Sequence, residues 1–148
     1  KFHVFTKAEL ESRAEIQYET YAKAINIEAK AMIDIASKQI IPAVIKYTKS
    51  LADTVNSVTA AGAEASVQSE LLAETSGLLS DTKVALQKLI DLDKKSEEVP
   101  EGTELAHYFH EEIVPAMAEL RAPVDVLEMI VDKEMWPMPS YGDLMFEV

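Results

Sequence analysis

The chain has 148 residues, 48% of them apolar, which suits one domain with a core of its own. Lys and Arg total 14 against 26 Asp and Glu, and a net charge of −12 repels phosphate backbones and anionic lipid, so nucleic-acid and membrane partners are not expected. There is no cysteine, which removes disulfides, thiolate metal sites and thiol nucleophiles together.

The chain opens on Lys1-Phe2-His3 and not on Met, carries no signal-peptide pattern, and has no apolar run near the ~18 residues of a membrane span. It reads as a cytoplasmic piece of something longer. Thr6 and Glu9 have the spacing of a capping box, with Phe5 before them as a hydrophobic staple. An apolar stripe then runs through Ile25, Ala29, Met32, Ala36, Ile40, Ala43, Tyr47, Leu51, Val55 and Val58. Steps of three and four are the mark of a helical face, so a first helix is expected over residues 7–60, kinked near Pro42. A turn at Ala60-Ala61-Gly62-Ala63 leads to a second stripe from Leu71 to Leu92, hence a helix over 65–95. Thr103 is placed as the cap of a third helix over 103–132, whose Pro115 and Pro123 should bend or break it once. The segment Trp136-Pro137-Met138-Pro139-Ser140-Tyr141-Gly142 is expected to be extended chain and turns. The fold class is all-α: an up-down-up bundle of three long helices with an extended Pro/aromatic tail over 133–148, all in a single domain.

At ~1.5 Å per residue the first helix outruns its partners. Its start, with Ile16, Tyr18, Tyr21, Ile25 and Ile27, should overhang the bundle and need cover from outside.

The densest polar cluster is His107, His110, Glu111 and Glu112. Glu104 and His107 form the Glu-x-x-His of carboxylate di-iron bundles, but that chemistry needs two such motifs and further glutamates. Glu28 alone does not complete the set, so a solvated helix face is the preferred reading and no metal ligand is assigned. No phosphate loop, nucleophile elbow or HExxH spacing is present. No catalytic or cofactor-binding residue is assigned either. Arg13 and Arg121 are taken as ion-pairing residues. Trp136 has two readings: an anchor of the tail on its own bundle, or, with Tyr141, a plug into a neighbouring subunit.

The run from Glu9 to Tyr47 is similar to the segment that follows the catalytic domain of bacterial type III glutamine synthetases. Ser12-Arg13, Glu15-Ile16, Tyr21, Ile27-Glu28-Ala29 and Ile41-Pro42-Ala43 carry the resemblance, and WPMPSYGDLMF closes the chain as in that family. The resemblance implies a C-terminal helical domain of a glutamate–ammonia ligase. The parent would make glutamine from glutamate, ammonia and ATP with Mg or Mn, and assemble as a homo-oligomeric dodecamer. The family's ATP, metal and glutamate ligands lie upstream, so this segment is expected to brace the catalytic domain of the parent chain. Its interface residues would be Ile16, Tyr18, Tyr21, Ile25, Trp136 and Tyr141. The alternative is a free-standing acidic helical bundle acting as an interaction or sensor module.

Overall fold

The computed structural model describes residues 4–146, without the side chain of Tyr141. Among these residues every regular element is helical. Helix α1 spans Lys7–Ile35 and starts at the predicted capping box. Glu9 N–H donates to Thr6 Oγ1 at 3.3 Å, and Thr6 N–H donates to Glu9 Oε2 at 2.7 Å. These two bonds satisfy donors that a helix start otherwise leaves open.

Between α1 and α2 (Ile41–Ala60) the chain makes a π turn over Ala36–Ile40. Ile41 N–H donates to Ala36 O, five residues back. The next residue is Pro42, which has no N–H and whose ring would strike the carbonyl four residues behind it in an α-helix. The wider turn accommodates both problems without ending the helix. Pro115 is handled in the same way. Helix α4 (Thr103–Tyr108) passes through a π turn over Phe109–Ile113 into α5 (Val114–Ile130), and Val114 N–H donates to Phe109 O. Ile40-Ile41-Pro42-Ala43 and Ile113-Val114-Pro115-Ala116 are thus two local copies of one solution. The third helix, expected to bend or break once, runs on through this π turn without a break, and Pro123 sits inside α5.

Helix α3 runs over Ser66–Ser96. The turn before it uses Gly62 at φ +81°, a left-handed conformation that favours glycine. Gly102, at φ +92°, likewise makes the turn into α4. It, and not Thr103, is the residue that precedes the helix, and no side chain caps that end.

Two apolar clusters hold the bundle. The larger joins Ala22, Ala29 and Ala36 of the first helix to Leu86 and Leu89 of α3 and to Phe109, Ile113, Ala116 and Leu120 of the third. Alanines on the first helix let the larger side chains opposite approach closely. The smaller cluster joins Ile40, Val44, Leu127 and Val131, with Tyr47, Leu78, Leu79 and Trp136 against it. Lys88 and Glu119 link α3 to α5 across the surface at 2.6 Å. Helix α5 ends at Ile130, so the outer parts of α2 and α3 continue as a two-helix hairpin.

The tail departs from expectation. It contains a short helix, α6 (Tyr141–Phe146). Asp143 N–H donates to Ser140 Oγ at 3.3 Å and Ser140 N–H donates to Asp143 Oδ2 at 2.7 Å, a second capping arrangement. Proline at 137 and 139 keeps the preceding residues out of a helix but does not reach beyond Ser140.

Candidate interface

From Val4 to Tyr21 every described residue is exposed, and the first buried one is Ala22. The first helix therefore has an N-terminal arm. It is shorter than the sequence implies, because α4 and its π turn cover the helix from Ala22 onward. The five residues expected to share one face do not. At about 100° per residue, Ala22, Ile25 and Ala29 point one way, whereas Ile16 and Ile27, three turns apart, point another. Ile25 is half-buried against the larger cluster, so its assignment to an outward interface is corrected. Ile27 is 70% exposed and Ile16 57%. Tyr18, seven residues before Ile25, continues the covered stripe and Tyr21 lies at its edge, both still exposed. Tyr21 Oη lies 3.2 Å from His110 Nδ1, tying the foot of the arm to the third helix.

Trp136 also turns inward. It is half-buried against the smaller cluster of Ile40, Val44, Leu127 and Val131, which is the anchor geometry. The Tyr141 side chain lies outside the described residues. The exposed apolar groups of the tail are instead Leu144, Met145 and Phe146. Arg121 pairs with Asp125 at 3.2 Å as expected of it, while the Arg13 guanidinium stacks 4.6 Å from the Phe5 ring centre. Hydrogen bonds from Ser140 and Lys133 hold the Asp143 carboxyl at about 2. Bonds from Thr6 lower Glu9 in the same sense. Burial, followed by the charges of Glu112 and Asp93, raises Tyr108, whose hydroxyl donates to Leu92 O at 2.9 Å.

The polar cluster of the third helix does not converge. His107 and Glu111 face each other along one helix at 3.9 Å, both well exposed, and His110 is engaged with Tyr21. Among the described residues no three His, Asp or Glu side chains gather at metal-binding distance. The arrangement presents apolar groups and hydrogen-bonding edges, which is the equipment of a docking surface. One group was missed in the sequence: Asn26, whose Oδ1 is shut off from solvent and accepts no hydrogen bond. Its signal was a lone amide one position beyond Ile25 on the covered stripe.

Residues 1–59 match the family described as the glutamine synthetase C-terminal domain. The chain is 32% identical to the type-3 glutamine synthetase of Dictyostelium discoideum, over 97% of this chain and 20% of that protein. It is 28% identical to a glutamine synthetase of Bacteroides fragilis, over 97% of this chain and 20% of the relative. For a glutamine synthetase of Butyrivibrio fibrisolvens the figure is 29%, over 98% and 21%. The chain thus spans about a fifth of the length of the curated relatives it matches. It is a C-terminal domain of glutamine synthetase.

Proposed function

We propose that this glutamine synthetase C-terminal domain is a structural and assembly unit, and that its exposed arm docks onto the rest of the parent polypeptide. The parent would join ammonia to glutamate at the expense of ATP, with Mg or Mn, in the cytoplasm and as a homo-oligomer. The observation that carries the docking role is the arm itself. A helix whose described residues from Val4 to Tyr21 are all exposed, with Leu10, Ile16 and Tyr18 among them, is stable as a surface only against a partner. The family match falls on this same first helix, which fits a surface built for a partner common to the family. No helix among the described residues is long and apolar enough to cross a membrane.

The test uses the full-length parent with Ile16→Glu and Tyr18→Glu together. Both side chains are solvent-exposed in this domain, so its own fold should survive. Burying unpaired carboxylates against a partner is expected to dissociate the assembly and lower glutamine formation. Unchanged particle size by light scattering and unchanged turnover would overturn the reading.

A further inference from the structure

The solvent side of α1 has an order of its own. Opposite the covered stripe of Ala22, Ile25 and Ala29 lie Ile16, Thr20, Ala24, Ile27 and Ala31, all exposed. Steps of three and four residues keep them within one narrow strip of the helix. Thr20 Oγ1 donates to Ile16 O at 2.7 Å, so its hydroxyl brings no unpaired donor to that strip. From Thr20 through Ala24 and Ile27 to Ala31 the spacing is that of a coiled-coil seam, with small residues that let two backbones approach closely. The seam is bounded. Arg13 and Asp34 hold the outlying positions of the same strip, and Asp34 pairs with Lys38 on its own helix.

The two flanks of the strip differ in charge. Lys23 and Lys30 stand on one side, Tyr21 and Glu28 on the other, all exposed. Among the described residues Lys30 and Glu28 make no ion pair, and Lys23 has only Glu19, one turn back, at 3.1 Å. An exposed pair of that kind is weak and readily exchanged. Laid antiparallel, two copies of this helix would set lysine against lysine and glutamate against glutamate. Laid parallel and in register, the lysine flank of each meets the glutamate flank of the other. Lys23 then reaches Glu28 of the second copy, five residues further on, and Ile16 reaches its Tyr21 by the same step. The face is thus complementary to itself in one direction only.

We propose that residues 16–31 of α1 pair with the same residues of a second copy, as a parallel two-fold contact with a Lys23–Glu28 pair on either side. The seam is about 16 Å long at ~1.5 Å per residue. That is too little surface to hold two free chains together, but copies already held side by side elsewhere meet at high effective concentration, where a small contact counts. The proposal therefore rests on the homo-oligomeric parent given above. Leu10 and Tyr18 lie off this strip and remain free for the docking role.

The test introduces Thr20→Cys and Ala31→Cys together into the full-length parent, oxidises it and reads the linked peptides by mass spectrometry. This domain contributes no other thiol. Parallel pairing links 20 to 20 and 31 to 31, whereas antiparallel pairing links 20 to 31. The parallel links are expected. Lys23→Glu should cut their yield roughly fivefold, the scale of two exposed ion pairs lost, and adding Glu28→Lys should restore it. Links from 20 to 31, a yield indifferent to Lys23→Glu, or no recovery with Glu28→Lys would overturn the contact. An absence of links in a parent that light scattering shows to be an oligomer sinks the contact and leaves the assembly role standing. A monomeric parent without links sinks both.

Discussion

The two halves of the first helix, on either side of its π turn, have opposite fates. Helix α2 finds its partner within the chain: Val44 is fully buried, and α3 runs beside it to the end of the hairpin. The outer half of α1 finds none, although it carries Leu10, Ile16, Tyr18 and Tyr21. Apolar content does not separate them. What separates them is whether the apolar residues share one direction. In α2 they fall on the stripe that faces α3. In the arm they point several ways, so no single neighbouring helix could cover them all. A helix of the first kind completes a bundle; one of the second kind is suited to being embedded in a larger body.

This contrast can be broken most directly at Phe109, which is fully buried in the π turn opposite the foot of the arm. Phe109→Ala should cost about 3–5 kcal/mol in urea unfolding. A cost under 1 kcal/mol would mean that the third helix does not hold α1 at all. Ile25→Ala tests where the arm begins. Half-burial in the core should make it cost about 1–2 kcal/mol, less than a full deletion but clear of a surface change. A neutral result would move the boundary of the arm down to Ala29. The tail gives a smaller, local effect that depends on pH. The folded Asp143 carboxyl titrates at about 2, below its ordinary 3.8. A depressed carboxylate stabilises the fold above its unfolded value and loses that contribution as pH falls through the folded value. The Ser140–Asp143 cap should therefore open between about pH 4 and pH 2, seen as loss of amide protection at Asp143 and Leu144, and Asp143→Ala should abolish the transition. Smallest of all, Ile16→Ser should leave the stability of this domain within about 0.5 kcal/mol. A larger loss would show that the arm is covered from within.

Much of this was legible in the sequence, for reasons that name its limits. The stripe from Ile25 to Val58 and the turn at Gly62 give the long first helix and its hairpin, because three- and four-residue steps leave little else to build. Pro42 and Pro115 announce a disturbance, but not its form. Whether a proline bends, ends or widens a helix depends on packing around Ile40 and Ile113, which is a tertiary matter. Helix α6 could have been foreseen: Ser140 and Asp143 repeat the spacing of Thr6 and Glu9, and the prolines before them masked the signal. The arm was read as a single apolar face because periodicity reports where a stripe exists, not which stray residues lie off it. Trp136 admitted two readings because an aromatic among prolines does not state what it will lean on. The shielded Asn26 oxygen needed coordinates, since Gly102 and Leu105 approach Asn26 from distant sequence.

The paired π turns carry a further consequence. An extra residue looped into a helix advances its winding by about 100° without changing its axis greatly, like a phase shift inserted in a screw thread. The thread before Pro42 carries the arm; the thread after it carries the hairpin. Their relative phase decides which way Ile16 and Tyr18 look when Val44 and Leu51 are seated against α3. Deleting one residue between Ala36 and Ile40 would leave every local propensity intact, yet rotate the arm by roughly a quarter turn and present a different set of side chains to whatever it meets. The two prolines serve here as clock settings for the rods they interrupt.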